Sequence, residues 1–189
     1  MIAQKLKEKL EHVSDDCFAK AKQIKLAAFD VDGVLTDGRI MLMSDQREVK
    51  TFHVHDGLGL KALKEAGVEI AIISARQSVV VNQRMQELGI VRVFQGERDK
   101  GSRLLKLIEV MKLKPEQVAF MGDDLQDWPA MKQAGLKITV PNGAPELRER
   151  CDYITAQAGG MGAVREVAEL ILKAQNRWKE VLHVFGFEA

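Results

Sequence analysis

A short apolar segment that ends in two aspartates and a glycine constrains this chain more than any other part of its sequence. Residues 26–29 are apolar, and Asp30, Asp32 and Gly33 follow within four positions. An apolar run bounded by turn residues predicts a buried strand that opens into a loop. In open α/β sheets, ligands bind outside the carboxyl ends of the strands. We therefore expect Asp30 to be a nucleophile at such an edge.

Further apolar runs alternate with helical patterns along the chain. The predicted strands are 68–74, 91–94, 118–121, 138–140 and 152–154, and the predicted helices are 57–67, 77–88, 101–111, 128–134, 145–150 and 163–178. Strands that alternate with helices indicate an α/β fold, a doubly wound parallel sheet of the Rossmann-like kind. Neither an internal repeat nor a linker divides the sequence, so we expect one domain over residues 1–189 and no cap domain.

Three segments lie outside this alternation. Apolar residues at helical spacing predict an amphipathic lead-in helix within residues 1–23, and residues 156–189 form a C-terminal tail and helix. Residues 38–54 contain two strand-like runs around a polar turn, which predicts a β-hairpin flap after the first strand. Because an exposed hairpin carrying Met41, Leu42 and Met43 would be adhesive, we expect it to pack on another subunit.

Composition excludes several classes of function. The 189 residues are 46% hydrophobic and 29% charged with a formal net charge of +1, which is typical of a soluble globular protein. A near-neutral charge without a basic run gives no case for binding nucleic acid. No apolar stretch approaches the ~18 residues of a membrane span. The two cysteines fit unpaired thiols, the N-terminus does not resemble a signal peptide, and we expect a cytoplasmic protein.

Polar residues follow four successive strands of the predicted sheet at the same end. Each feature alone has an ordinary explanation, because acids occur in turns, serine caps helices and a lysine is commonly solvated. Together they are a concentration of carboxylates that needs a cation, and oxygen ligands suit magnesium. A phosphate is the anion that fits a magnesium ion beside a lysine and a hydroxyl. The residues concerned are Asp30, Asp32, Ser74, Lys100, Asp123, Asp124 and Asp127.

These motifs, in this order, resemble the haloacid dehalogenase superfamily of phosphatases. The resemblance is closer to one family, the 3-deoxy-D-manno-octulosonate 8-phosphate phosphatases, and runs from about Leu26 to about Ala174. The segments that carry it are 30–38 (DVDGVLTDG), 72–76 (IISAR), 122–129 (GDDLQDWP) and 158–166 (AGGMGAVRE). The family implies a phosphoric monoester hydrolase of lipopolysaccharide precursor biosynthesis that depends on Mg²⁺.

The resemblance also implies residue roles. Asp30 attacks phosphorus and forms an aspartyl phosphate, while Asp32 protonates the leaving oxygen and then activates water. Ser74 and Lys100 stabilise the phosphoryl group. Magnesium is held by the carboxylates of Asp30 and Asp123 and by the backbone carbonyl of Asp32. In supporting roles, Asp124 orients a metal-bound water and Asp127 holds Lys100 or caps the next helix.

The sugar end of the substrate is assigned to a second set of residues. A sugar acid carries its own carboxylate, so cations near the pocket are physically reasonable. In addition to Asp32 and Lys100, the family pattern assigns sugar contacts to His53, Val54, His55, Asp56, Gly57, Lys61, Arg76 and Arg84. The sequence departs from that pattern at His55, Lys61 and Met161, which bears on the identity of the sugar and not on the reaction. For Lys61 and Arg84, a solvated position on a helix is an equal alternative.

The family closes its active site by assembly, since it has no cap domain. In the family, the hairpins of a homotetramer form a shared barrel that covers neighbouring sites, and the tail around Gly159 to Gly162 reaches an adjacent one. We accordingly expect a homotetramer that acts on a small sugar phosphate, without nucleic acid or membrane partners.

Three alternatives remain at this stage. The first is a phosphatase for a nine-carbon sialic-type sugar acid 9-phosphate, which would use the same catalytic core. The second is a receiver-like phosphoacceptor module, which also places acids, a hydroxyl and a lysine around magnesium. Motif order opposes the receiver, because here the acceptor-like acids come first and the acidic pair comes last. The third is a non-catalytic scaffold, which no missing motif residue supports.

Overall fold

A six-stranded parallel sheet forms the centre of the molecule in the computed structural model, which describes residues 13–187. The strand order is β5-β4-β1-β6-β7-β8. The strands of this sheet are β1 (Leu26–Phe29), β4 (Glu69–Ser74), β5 (Arg92–Gln95), β6 (Val118–Met121), β7 (Leu136–Thr139) and β8 (Tyr153–Ile154). From β1 the chain adds β4 and β5 on one side, then crosses back to add β6, β7 and β8 on the other side, so the predicted doubly wound sheet is confirmed.

The central strand β1 carries the catalytic candidates into the middle of the sheet. It pairs in parallel with β4 on one side and with β6 on the other, and Phe29 lies level with Ile72 and Met121. The backbone N–H of Asp30 donates to the carbonyl of Met121 at 3.0 Å, so the backbone hydrogen bonds between β1 and β6 extend to Asp30. Asp30 therefore leaves the sheet at a position that two neighbouring strands fix.

Helices cover both faces of the sheet, and the strands alternate between them as a period of two requires. Ala27 and Phe29 of β1 pack into the larger core, whereas Leu26 and Ala28 pack into the smaller core on the other face. The first face holds α1 (Asp15–Ala21), α2 (Val54–Glu65), α3 (Val79–Glu87), α7 (Ala163–Ala174) and α8 (Trp178–Val184). The second face holds α4 (Lys100–Val110), α5 (Trp128–Met131) and α6 (Pro145–Arg148).

A glycine allows two of these helices to approach closely. A β-carbon placed on Gly59 of α2 would lie 2.9 Å from the Cα of Arg165 and 3.1 Å from the β-carbon of Ala168, both on α7. Any side chain here would force α2 and α7 apart. The contact fixes α2, which directly follows the hairpin, against the most buried helix of the first face.

The hairpin is present but shorter than its sequence pattern indicates. Its strands are β2 (Met41–Leu42) and β3 (Glu48–Val49), which pair in antiparallel fashion. The predicted second strand through Val54 is wrong, because α2 begins at Val54. His53 caps that helix, since its Nδ1 accepts from the backbone N–H of His55 at 3.3 Å.

The other differences lie at helix ends and at the chain termini. The helix predicted over 163–178 stops at Ala174, and Asn176 takes a left-handed φ of 58° before α8 begins. The helix predicted over 128–134 is shorter, and a 3₁₀ turn over Leu125–Asp127 precedes it. Most of the expected lead-in helix lies outside the described residues. Over the described residues, none of the helices combines the length and apolar character needed to cross a bilayer.

Candidate active site

A buried lysine joins two aspartates at the carboxyl end of the central strand. Lys100 opens α4, and its Nζ lies 2.8 Å from Asp30 Oδ1 and 2.5 Å from Asp127 Oδ1. All three residues are at most 1% exposed. Burial alone would lower the pKa of Lys100, but the two carboxylates outweigh it and raise that pKa, so the ammonium stays charged. The sheet therefore brings together residues predicted from three separate strand ends.

Asp127 holds the loop that carries Asp123. Its Oδ1 accepts from Lys100, and its Oδ2 accepts from the backbone N–H groups of Asp123 at 3.0 Å and Asp124 at 3.2 Å. The predicted contact of Asp127 with Lys100 is present, together with backbone contacts that the sequence did not reveal. With both oxygens occupied, Asp127 is not left free to coordinate a metal ion.

Two buried carboxylate oxygens in this cluster have no hydrogen-bond partner within the described part of the chain: Asp30 Oδ2 and Asp123 Oδ1. Ligand atoms of Asp30, Asp123 and Asp127 all lie within 4.8 Å of one another. Three carboxylates and one ammonium leave two negative charges, which is the charge that a divalent cation would balance. The donor set consists of oxygens, which suits Mg²⁺.

The pKa values of the clustered carboxylates also indicate a site that requires a divalent cation. Burial raises the pKa of Asp123 to about 7, and the neighbouring charges of Asp127 and Asp124 contribute to the rise. Burial and the charge of Asp127 also raise the pKa of Asp30, against the opposing effect of Lys100. Without a divalent cation these carboxylates keep their protons to a higher pH than usual. The residues present thus fit a divalent metal ion.

The loop after Asp30 is held by glycines that approach other backbone closely. Gly33 has a φ of 96°, and a β-carbon on it would overlap the carboxylate of Asp123. A β-carbon on Gly159 would overlap the carbonyl of Gly33, and the N–H of Gly160 donates to the carbonyl of Val34 at 2.9 Å. The glycine-rich segment that was expected to reach an adjacent site therefore packs on the catalytic loop of its own chain.

Asp32 faces two cations, one of which the sequence analysis did not identify. Arg76 Nε lies 3.7 Å from Asp32 Oδ2, and Lys50 of the hairpin forms a hydrogen-bonded ion pair with Asp32 Oδ1. Glu48 pairs with both cations, at 3.2 Å from Lys50 Nζ and 3.1 Å from Arg76 Nη2. The alternation of Glu48 and Lys50 on one face of the hairpin strand was the available signal.

Ser74 ends β4 beside these groups. It is 3% exposed, and its Oγ accepts from the backbone N–H of Arg76 at 3.3 Å. The hydroxyl hydrogen is left for another acceptor, because the oxygen acts here as the acceptor.

The residues predicted for the sugar end divide into two groups. Val54 and His55 are exposed at the start of α2, where His53 caps the helix. Asp56 is 2% exposed, and its Oδ1 accepts from the backbone N–H of Arg165 at 2.8 Å. The Asp56 carboxylate thus stabilises the start of α7, and its predicted contact with the sugar stays a prediction.

The remaining predicted residues have contacts of their own. Gly57 is buried, and Arg84 lies so close that a β-carbon on Gly57 would sit 3.4 Å from its guanidinium carbon. Arg84 also pairs with Glu87 at 3.2 Å. Lys61 is exposed on α2. Asp124 is exposed and accepts from the N–H of Leu125 at 2.8 Å, so the structure gives it a capping contact and leaves its water-orienting role a prediction.

A model of the haloacid dehalogenase-like hydrolase family matches residues 89–167. The chain is 44% identical over 168 residues to the 3-deoxy-D-manno-octulosonate 8-phosphate phosphatase of Escherichia coli K12, which covers 89% of each chain.

Solved structures of similar proteins superpose closely. One is the 3-deoxy-D-manno-octulosonate 8-phosphate phosphatase of Moraxella catarrhalis in complex with a magnesium ion, a phosphate ion and a KDO molecule. It has a TM-score of 0.88 and 48% identity, and the match covers 90% of this chain and 98% of that one. The cobalt-bound phosphatase of Haemophilus influenzae has a TM-score of 0.80 and 36% identity over 83% of this chain and 92% of that one.

Proposed function

The chain belongs to the family of 3-deoxy-D-manno-octulosonate 8-phosphate phosphatases, within the haloacid dehalogenase-like hydrolases, and on this premise we propose that it hydrolyses that sugar phosphate. The products are 3-deoxy-D-manno-octulosonate and inorganic phosphate. The reaction would supply the free sugar acid for lipopolysaccharide precursor biosynthesis.

One observation carries the proposal. Asp30 lies at the carboxyl end of the central strand with Oδ1 held by Lys100 and with Oδ2 buried and unpartnered. One oxygen is therefore oriented and the other is left without a protein partner. A carboxylate held in this way is suited to attack phosphorus, because its direction is set before substrate arrives.

In the first step, an oxygen of Asp30 forms a bond to phosphorus, and the bond between phosphorus and the sugar oxygen breaks. Asp32 donates a proton to the departing oxygen, so the sugar leaves as an alcohol. Lys100 and the Ser74 hydroxyl stabilise negative charge on the phosphoryl oxygens. The result is an aspartyl phosphate on Asp30.

In the second step, Asp32 takes a proton from a water molecule as the oxygen of that water attacks phosphorus. The bond between phosphorus and Asp30 breaks, and phosphate leaves with the Asp30 carboxylate restored. The carboxylates of Asp30 and Asp123, with the backbone carbonyl of Asp32, would hold Mg²⁺. Its charge would offset the negative charges of the nucleophile and the phosphoryl group.

The sugar end is recognised by cations and by the start of α2. Arg76, 43% exposed at the side chain, is the cation adjacent to Ser74 and Asp32 and would pair with the sugar carboxylate. His53 to Gly57, Lys61 and Arg84 complete the proposed sugar site, with Asp56 acting through the helix that it stabilises.

The proposed assembly is a homotetramer formed through the hairpin, in the cytoplasm. The hairpin exposes Ile40, Met41, Leu42 and Met43, each at least 46% accessible. An apolar patch of this kind is suited to an interface between subunits. Cys17 and Cys151 are free thiols, which is consistent with a reducing compartment.

A phosphate-release assay with magnesium and a panel of phosphate esters tests the proposal. We expect selective turnover of the eight-carbon sugar acid 8-phosphate over a nine-carbon sialic-type 9-phosphate and over simple esters. Asp30→Asn is expected to abolish release, whereas Asp45→Asn at the exposed hairpin tip leaves it unchanged. Preference for the nine-carbon acid would change the substrate, and undiminished turnover by Asp30→Asn would contradict the nucleophile.

A further inference from the structure

Lys50 is a buried cation to which the proposed reaction gives no task. Its side chain is 1% exposed, and it pairs with Asp32 and with Glu48. A buried ammonium is costly unless it is paired and hydrogen-bonded. The hairpin therefore places a lysine inside the protein, directly against the proposed acid and base.

The pairs form a closed ring across three separate segments. Asp32 comes from the catalytic loop, Glu48 and Lys50 come from the hairpin, and Arg76 follows β4. Both oxygens of Asp32 face a cation, Oδ1 facing Lys50 and Oδ2 facing Arg76. Burial would raise the pKa of Glu48, but hydrogen bonds from Ser78, Arg76 and Lys50 lower it, so Glu48 stays ionised between the two cations.

Within residues 13–187, the contacts that orient the Asp32 carboxylate come from Lys50 and Arg76. The two cations differ in freedom. Arg76 is 43% exposed at its side chain and lies 3.7 Å from Asp32, so it can turn to a ligand. Lys50 is enclosed and makes the direct hydrogen bond.

We propose that Lys50 is a positioning residue that fixes the Asp32 carboxylate for proton transfer and makes its geometry depend on the hairpin. The inference rests on the proposed phosphatase function and deepens it. Proton transfer requires the acid within hydrogen-bond reach of the leaving oxygen, and a displacement of about 1 Å can cost about 100-fold in rate. Lys50 would act on turnover and not on the affinity for substrate.

The test compares Lys50→Met with wild type on two substrates, the sugar phosphate and 4-nitrophenyl phosphate. Nitrophenolate is a good leaving group that needs little protonation, whereas the sugar alcohol needs a proton donor. For the sugar phosphate we expect kcat to fall about 100-fold with KM nearly unchanged. For 4-nitrophenyl phosphate we expect a burst of nitrophenolate, because Asp30 is phosphorylated normally but hydrolysis still needs Asp32.

Controls separate positioning from folding. Lys106→Met removes an exposed cation of α4, outside the hairpin and outside the ion pairs of Asp32, and is expected to leave both activities unchanged. Lys50→Arg keeps the charge and should recover most of the lost kcat. If Lys50→Met lacks the circular dichroism spectrum of wild type, Lys50→Gln takes its place under the same criteria.

Two results would overturn the inference. One is wild-type kcat in the Lys50 variant on the sugar phosphate. The other is an equal loss on both substrates without a burst, which would indicate a structural role alone. Failure of the wild-type protein to release phosphate from any ester would instead reject the proposed function, so the two failures can be told apart.

Discussion

Lys100 and the three aspartates around it form a site whose charge is incomplete without a cation. Lys100 neutralises one of the three carboxylates, and the oxygens left without partners belong to Asp30 and Asp123. The side chain of Asp127 accepts hydrogen bonds from Lys100 and from the backbone N–H of Asp123. The sequence predicted which side chains form the cluster. It did not predict which carboxylate oxygen binds which partner, because those contacts depend on how the loop that carries Asp123 and Asp127 packs.

The pH dependence of metal binding follows from Asp123. Its pKa is raised by burial to about 7 in the folded protein, above the ordinary value of about 4. The metal-free fold therefore loses stability as pH rises between those values, because the folded state holds the proton more tightly than the unfolded chain. Magnesium must displace that proton, so its binding strengthens as pH rises.

We expect the rise in Tm on adding a fixed concentration of magnesium to be larger at about pH 8 than at about pH 6. Thermal unfolding followed by circular dichroism, with a chelator as the metal-free reference, measures it. Asp123→Asn should reduce the pH-dependent part of the rise and leave the part that comes from Asp30, whose pKa is also raised. An equal rise at both pH values in wild type would contradict the assignment of Asp123 as a metal ligand.

The hairpin contributes both to the proposed active site and to the proposed subunit interface. Lys50 and Glu48 at its base are turned inward to Asp32 and Arg76, while Met41 and Leu42 are exposed on β2. The sequence predicted the exposed apolar strand of the hairpin. It did not predict the ion pairs of Lys50 and Glu48 with groups outside the hairpin. Those pairs depend on contact with segments distant along the chain, and the spacing of Glu48 and Lys50 alone does not indicate which groups they face.

Leu42→Asp tests whether the exposed apolar residues of the hairpin form the tetramer interface. Leu42 is 66% exposed, so an aspartate there costs the isolated chain little, but it would bring charge into a shared apolar interface. We expect light scattering coupled to size exclusion to give four chains for wild type and fewer for the variant. Leu105→Asp, at a 46% exposed leucine of α4, is the matched control. A wild-type monomer, or a tetramer in Leu42→Asp, would contradict the proposed assembly.

For the whole molecule, the sequence predicted the sheet more accurately than its surroundings. β1 and β6 were predicted to the residue, because short apolar runs buried on both faces are bounded abruptly by Asp30 and Gly122. The start of α2 was misplaced because histidine is not among the preferred N-caps. The division of the last predicted helix was missed because Asn176 adopts a left-handed conformation that the helical periodicity does not reveal.

The residues of the candidate site that follow strand ends were predictable, because the strands themselves were. Strand order brought Asp30, Lys100 and Asp123 to one end of the sheet, and the structure places them in contact or within one cluster. Lys50 was missed, and so was the contact of the Asp56 carboxylate with the start of α7. Both depend on tertiary contacts between segments that local sequence pattern does not relate.

If Asp30 is the nucleophile, it becomes phosphorylated during turnover. Asp32→Asn should slow hydrolysis of the intermediate, so phosphate accumulates on the enzyme after mixing with magnesium and 4-nitrophenyl phosphate, whose leaving group needs little protonation. Borohydride reduction of the quenched protein converts an aspartyl phosphate to homoserine, which peptide mass spectrometry locates. We expect homoserine at position 30 and at no other aspartate; homoserine elsewhere, or its absence while nitrophenolate is still released, would contradict the assignment of Asp30.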